Sequence, residues 1–423
     1  MRGYKIQPPF QRLLAAFIAI SSIIPMSYVF PGNVSTGDDR RLDQFLAKVY
    51  QTMDEHYYLP VSKAIYEKFV LEYPTEKLKT LNERAKKTPD FVHLGAGLLV
   101  GKLKNPQDKY TNFVPPEKEK EFKEDAYALT EDLGIEGLKN PAGFLITRVQ
   151  KHSEAFEKGL RPGDVILKLD GRVLPEEEAQ IRKKLSPPIG TLTRLLILKM
   201  SGEKRRITLE SKSYFKETVE ALPSDVPGVL AVKISHFNQK TSEDFSDEIT
   251  AFGTDRIRHL VIDLRDNAGG PPLAAREILG FFLPQNDLLF AIARKKQRPV
   301  MLTAPAQGAS YKGPMTLLVN NKTGSAAEMF SGILQAKKMA GLVGQRTAGA
   351  TYLKSMYGMG DGSLIFMITS LTFFYDRRVY PPDGIVPDTE LPPETDSQET
   401  ESEGLWTPDS VQPSAAGKLW TPG

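Results

Sequence analysis

The sequence contains no cysteine. Disulfides, zinc–thiolate centres, iron–sulfur clusters and cysteine nucleophiles are thereby excluded. Histidine is scarce: His56, His93, His152, His236 and His259 are the full set. No two are four apart, so the paired-histidine helix of a metalloprotease is absent. Charge of one sign is also lacking. Lys and Arg number 55 against 52 Asp and Glu, a net charge of +3, too balanced for a nucleic-acid binder. What remains is an ordinary globular mix, 40% hydrophobic and 25% charged over 423 residues. That excludes a disordered chain, a collagen-like repeat and a multi-span membrane protein, and suggests roughly three domains.

Arg2, Lys5 and Arg12 precede an apolar run from Leu13 to about Phe30. Basic then apolar is the layout of a secretory signal or signal anchor, here residues 1–30. The strongest stretch, Leu13 to Ile24, is shorter than the about 20 residues of a spanning helix. No small-x-small cleavage site follows it. The expected location is therefore outside the cytoplasm, in a periplasm or envelope, with inner-membrane anchoring as the variant if the segment stays attached.

Residues 38–125 form a helical region. In Leu42, Phe45, Leu46, Val49, Tyr50 and Met53 the apolar positions recur at three and four, the stripe of an amphipathic helix. Helix is expected from Asp38 to about Lys87 and again from about Pro89 to Leu103. The charged stretch Pro115 to Asp125 reads as a solvated connector. Residues 126–212 change character: short β-like runs (Gly143 to Ile146, Asp164 to Leu169, Leu195 to Met200, Arg206 to Leu209) alternate with glycine turns. Asp170-Gly171 between apolar runs is a hairpin signal. Gly159-Leu160-Arg161-Pro162-Gly163-Asp164 ahead of a strand resembles a PDZ domain. That resemblance implies peptide C-termini as ligands, bound by strand addition. Leu133, Gly134 and Ile135 would form the loop whose backbone N–H groups hold the terminal carboxylate.

Residues 213–390 read as an α/β core. Gly228 to Ile234, Leu260 to Leu264 and Thr316 to Val319 are near-continuous apolar runs, as strands buried on both faces require. Helical patterns lie between and after them, at Glu243 to Phe252, Leu273 to Phe282 and Ala326 to Met339. The fold class expected is thus α/β (α+β) and multi-domain: helical region, β-rich module, then a sheet flanked by helices. The tail 391–423 is acidic, rich in Pro and Ser, and reads as disordered. Both tryptophans sit there in repeated tetrads, Leu405-Trp406-Thr407-Pro408 and Leu419-Trp420-Thr421-Pro422; a docking motif and a chance duplication fit equally.

Three segments carry the chemistry. Asp263-Leu264-Arg265-Asp266-Asn267-Ala268-Gly269-Gly270 ends a buried strand in a turn whose backbone N–H groups could serve an oxyanion hole. Asn320 to Glu328 runs from strand into helix, with Ser325 at the helix start, where the helix dipole favours a developing oxyanion. Taken alone, Ser325 reads first as an ordinary N-cap. Gly344-Gln345-Arg346-Thr347-Ala348-Gly349, Asp361-Gly362-Ser363 and Gly384-Ile385-Val386-Pro387-Asp388 complete the set. Together, and in this order, these motifs resemble the C-terminal processing peptidases, or tail-specific serine proteases, with an inserted PDZ domain. The similarity covers most of residues 38–390. It extends to Asn105-Pro106-Gln107-Asp108-Lys109-Tyr110-Thr111, an altered form of a short family segment. It implies a serine endopeptidase acting near protein C-termini, with Ser325 as nucleophile and Gly269, Gly270 and Ala326 as oxyanion donors. No cofactor or metal is implied.

One departure stands out. The family's lysine base, in the pattern Thr-x-Gly-Lys-Gly, falls here on Ala350, and the glutamine four residues later falls on Lys354. A serine needs a base within about 2.6–3.2 Å. In a regular strand, positions 350 and 354 share a face about 13 Å apart, a gap that the long lysine stem partly spans. Lys354 is therefore the first candidate base and His236 the runner-up, and absence of any base stands open against both. The functional readings are, in order, an exported serine endopeptidase, an inactive homologue that binds peptides through its PDZ-like module, and an envelope scaffold. Expected partners are protein or peptide substrates held by their C-termini, not nucleic acid. The N-terminal segment is a candidate membrane anchor, and the helical region a candidate homodimer surface.

Overall fold

The computed structural model describes residues 37–392, apart from 86–89, 306–309, 351, 375–379 and 382. The leader expected at 1–30 and the tail from 393 onward, with its tryptophan tetrads, lie outside the described residues. No helix among the described residues is long and apolar enough to cross a membrane.

The helical region comprises α1 (Gly37–His56), α2 (Lys63–Glu72), α3 (Thr75–Ala85) and α4 (Phe91–Leu103), then β1 (Asn112–Val114) and α5 (Pro116–Tyr127). The first expected helix is in fact three. Pro60 and Pro74 fall in the breaks, where a missing N–H and the ring's clash with the preceding turn stop an α-helix. Asp90 caps α4, its carboxylate accepting the Val92 N–H at 2.9 Å. The stretch expected to be a connector is α5: Pro116 suits the first turn, and Lys123–Glu119 and Lys120–Glu124 are i,i+4 ion pairs. It is solvated, with no fully buried residue, but helical.

The β-rich module holds β2 (Leu129–Asp132), β3 (Ile135–Asn140), β4 (Gly143–Val149), α6 (Glu154–Glu157), β5 (Val165–Leu169), β6 (Arg172–Val173), α7 (Glu178–Leu185), β7 (Leu192–Leu198), β8 (Lys204–Glu210) and β9 (Lys212–Phe215). Its main sheet runs β3-β4-β5-β7-β8, with β6 beside β5. Asp170 and Gly171 both have positive φ, 50° and 77°, as a two-residue hairpin turn requires. In the Gly-x-x-x-Gly-Asp turn, buried Asp164 accepts the Arg161 N–H at 2.9 Å and pairs with Lys199 at 2.6 Å. A two-stranded ribbon, β2 with β9, closes the module where the chain enters and leaves.

The remaining elements are β10 (Val219–Leu222), β11 (Val229–Ile234), α8 (Thr241–Phe252), β12 (His259–Asp263), α9 (Pro272–Leu279), β13 (Leu288–Arg294), β14 (Val300–Thr303), β15 (Met315–Val319), α10 (Ala326–Ala336), β16 (Gly341–Gly344), β17 (Tyr352–Gly358), β18 (Leu364–Phe374) and β19 (Thr389–Glu390). The central sheet has the order β10-β11-β12-β15-β16-β19. β11, β12, β15 and β16 are mutually parallel, which explains their continuous apolar runs. A second sheet, β1-β18-β13-β14 with β17 on β18, was not anticipated. It joins regions that the sequence reading separated at 125 and 213. Ile365, Met367 and Ile368 of β18 belong to the apolar cluster of the helical region, whereas Phe374 of the same strand belongs to the core's.

The module is fastened to the core by charge. Asp244 of α8 is buried and accepts from His152 at 2.8 Å; Lys151 pairs with Asp244 at 3.1 Å and with Asp247 at 2.5 Å. Burial pushes the Asp244 pKa up, but His152 and Lys151 outweigh it and hold it below the usual value. A pKa depressed on folding stabilises above the unfolded value and is lost as pH falls through the folded one. We expect Asp244→Ala to cost about 2 kcal/mol at neutral pH. It should also expose the connector at 216–218, through Lys216, to faster tryptic cutting, and the difference from wild type should vanish in acid. Thermal unfolding against pH and limited proteolysis check this.

Candidate active site

Four loops at the carboxyl ends of adjacent parallel strands build the site, the edge where α/β sheets place ligands. After β11, the Phe237 N–H donates to Gly269 O at 2.8 Å. After β12, Asn267 is buried and sutures its surroundings: its amide Nδ2 donates to Ile234 O at 2.7 Å and its Oδ1 accepts the Gly269 N–H at 2.8 Å. After β15, the Gly324 N–H donates to Asn267 O at 2.9 Å and Thr323 Oγ1 to Leu264 O at 2.8 Å. After β16, the Ala348 N–H donates to Thr323 O at 2.9 Å. Thr347 is clasped by the closing motif: its Oγ1 accepts the Ile385 N–H at 2.7 Å.

Ser325 sits at this junction, directly before α10. It is half-exposed, between buried Gly324 and Ala326. Its backbone is unusual for a non-glycine residue, at φ 53° and ψ −118°, a strain of about 1–3 kcal/mol that the surroundings must enforce. Glu328 enforces it. Its side chain is fully buried and accepts four hydrogen bonds: Ser325 N–H at 2.9 Å, Thr347 Oγ1–H at 2.6 Å, Gly349 N–H at 2.7 Å and Ala350 N–H at 2.7 Å. Burial pushes its pKa up and the four donors pull against that shift. Glu328 has no role assigned from the sequence alone. The available signal was its position three residues after an N-cap serine, the spacing of a capping box.

Gly269 has φ 107°, and a Cβ there would lie 2.7 Å from Ser325 Cβ and 2.9 Å from Ala326 N. Its own N–H is engaged by Asn267. Of the three expected oxyanion donors, Gly269 thus supplies room in front of the Ala326 N–H rather than an amide, which leaves Gly270 and Ala326 as the candidates. His236 lies beside Gly270, whose added Cβ would come 2.9 Å from His236 Nε2. That nitrogen makes a 3.2 Å hydrogen bond to Ala126 O, and burial pushes the ring's pKa down. His259 lies at the opposite strand ends, bonded to Thr316 Oγ1 at 2.9 Å.

Ala350 is buried, its Cβ 3.6 Å from where a Cβ of Gly324 would be, so position 350 does border the serine. The regular strand assumed from 350 to 354 is not observed. β17 begins only at Tyr352, and its pairing with β18 slips between Leu353 and Lys354, so the same-face argument fails. Lys354 nevertheless turns inward. Its Nζ lies 4.1 Å from the centre of the Tyr110 ring. Burial pushes its pKa down, against the opposing pull of the Glu328 and Asp108 carboxylates.

The β-module's loop is arranged differently from the expectation. Leu133 N–H donates to Leu185 O at 3.0 Å, and Gly134 N–H donates to Asp132 Oδ1 at 2.6 Å, while Ile135 is paired in the sheet. Along the edge of β3, Arg182 of α7 donates to Gly137 O at 2.7 Å and Glu178 accepts the Lys139 N–H at 2.9 Å. Leu133 and Gly134 therefore do not present free amides to a peptide carboxylate. The Leu185 carbonyl and the short-range Asx turn at Asp132 already take those amides.

A buried polar network on an α/β sheet edge, centred on a strained serine at a helix start, defines a hydrolase-like class of site. Comparison with known proteins narrows it. Residues 228–391 match the model of Peptidase family S41. A "Probable CtpA-like serine protease" of Staphylococcus saprophyticus is 26% identical over 90% of this chain and 71% of its own. One from Staphylococcus haemolyticus is 27% identical over 74% of this chain and 63% of its own. Among solved structures, a photosystem II D1 C-terminal processing protease aligns over 84% of this chain and 94% of its own, at 19% identity and a TM-score of 0.48. The family match is confined to the core region, and the relatives extend the likeness beyond it.

Replacing Glu328 by Gln puts an NH2 group against N–H and O–H donors. We expect Glu328→Gln to lower stability by about 2–3 kcal/mol, read by denaturant unfolding, with hydrogen exchange accelerated at 347–350.

Proposed function

We propose that this chain is an exported serine endopeptidase of the C-terminal processing type, with Ser325 as nucleophile and Lys354 as a relocated base. One observation carries the reading: Lys354, standing where the resemblance places a glutamine, turns inward with its Nζ 4.1 Å from the centre of the Tyr110 ring, and its charge is felt by Glu328, which holds the serine's own N–H. A lysine serves as base once burial lowers its pKa. Neutral Lys354 takes the proton from Ser325 Oγ as Oγ attacks the scissile carbonyl carbon. The resulting oxyanion is met by the Gly270 and Ala326 N–H groups and the α10 dipole. As the C–N bond breaks, Lys354 returns the proton to the leaving amine, and water then hydrolyses the acyl-enzyme. Export is read from the leader-like residues 1–30, and the β-module is read as a PDZ-like peptide binder.

Cleavage of unfolded casein tests the chemistry. Ser325→Ala is expected to abolish it, and Lys354→Ala to slow it about 10²–10⁴-fold, the range of general-base catalysis. Ala350→Lys combined with Lys354→Gln is expected to recover activity, because position 350 borders the serine. Loss with Ser325→Ala alone, Lys354→Ala being silent, would turn the assignment to His236.

A second reading, an inactive homologue that binds peptides, is favoured by the alanine methyl at 350. It predicts no cleavage with binding retained. In either case Arg182→Ala, which frees the Gly137 carbonyl, is expected to tighten binding of an apolar C-terminal peptide several-fold by fluorescence anisotropy. Unchanged affinity would remove the β3 edge as the peptide site.

A further inference from the structure

The turn Asp108-Lys109-Tyr110-Thr111 belongs by sequence to the helical region, yet it is built into the neighbourhood of Lys354. Asp108 is buried and fixes the turn. Its Oδ1 accepts the Tyr110 N–H at 2.8 Å and the Thr111 N–H at 2.9 Å, and its Oδ2 accepts from Tyr57 OH at 2.7 Å. Thr111 Oγ1 accepts the Ile368 N–H at 3.1 Å, and Ile368 is the β18 residue paired with Lys354. The same hydrogen-bonded turn thus grips the strand opposite the lysine and sets the Tyr110 ring under its ammonium group, Nζ to ring centre 4.1 Å.

We propose that Tyr110 is a positioning residue that seats Lys354 for its work on Ser325, so that the helical region completes the active site. This rests on the reading of Lys354 as base. An aromatic face attracts a cation and holds its stem in one direction, whereas an unconstrained lysine samples many rotamers. The charged groups that face Lys354 are Glu328 from α10 and Asp108 from the turn. Among the described residues neither hydrogen-bonds to it, so the ring is the close contact that orients the amine. The attraction acts through the ring face, not the hydroxyl.

The test is kcat/KM for casein cleavage against pH, with wild type, Tyr110→Phe, Tyr110→Leu and Lys354→Ala, each checked for its unfolding midpoint. Tyr110→Phe is expected to keep the wild-type rate and profile. Tyr110→Leu keeps apolar bulk but loses the quadrupole that favours the ammonium form. Its acid limb is therefore expected about 0.5–1 pH unit lower, with a plateau about tenfold lower. An acid limb left in place by Tyr110→Leu, at any rate and any stability, overturns the inference while Lys354→Ala, if inactive, upholds the base. Lys354→Ala at the wild-type rate overturns the base and this inference together.

Discussion

One buried carboxylate, that of Glu328, holds the Ser325 end of this protein together. Glu328 brings four donors from two loops onto two oxygen atoms, and one of those donors is the Ser325 N–H itself. A carboxylate stripped of water is costly unless every lone pair is used. Its burial therefore forces the 347–350 turn onto the start of α10. The strained backbone of Ser325 follows from this grip, because a positive φ at a non-glycine residue persists only where its neighbours leave no alternative.

The glycines around the serine follow the same geometry. A side chain at 269 would strike Ser325 and Ala326, and one at 384 would lie 2.0 Å from Thr347 O. The sequence motifs are thus largely motifs of contact. Thr347 and Gly384-Ile385, far apart in the chain, are two sides of one joint, and Asn267 ties three strand ends, through its side-chain amide to Ile234 and Gly269 and through its backbone carbonyl to Gly324. Even Asp361-Gly362-Ser363 is a fastening: Asp361 binds His93 of α4 at 2.9 Å while accepting from Ser363 Oγ at 2.6 Å.

Sharing of strands joins the helical region to the core. β18 is long enough to serve the helical region's apolar cluster at one end and the core's at the other. The turn at Asp108 to Thr111 crosses that seam and reaches the lysine. In contrast, the β-module touches the core through charge, at Lys151, His152 and Asp244. Ion pairs of this kind depend on pH and geometry more than an apolar seam does.

Much of this was legible from local pattern. Parallel strands buried on both faces must be continuously apolar, so β11, β12 and β15 were readable, and α10 with its serine at the start followed from periodicity and small neighbours. The Asp170-Gly171 hairpin needed only its two residues. What the sequence could not decide was distance. The breaks at Pro60 and Pro74 were written locally but outweighed by the apolar stripe, and α5 was masked by its charge. The engaged amides of Leu133 and Gly134, the commitment of the Gly269 N–H to Asn267, and the slip of β17 against β18 all depend on partners remote in sequence or on one hydrogen bond among several that were sterically allowed. Residue type and spacing thus determined which elements form and that Ser325 stands at the start of α10. Only the tertiary structure decided that Glu328 anchors it and that Lys354 lies over Tyr110, because hydrogen-bond directions and side-chain contacts exist only once the strands are paired.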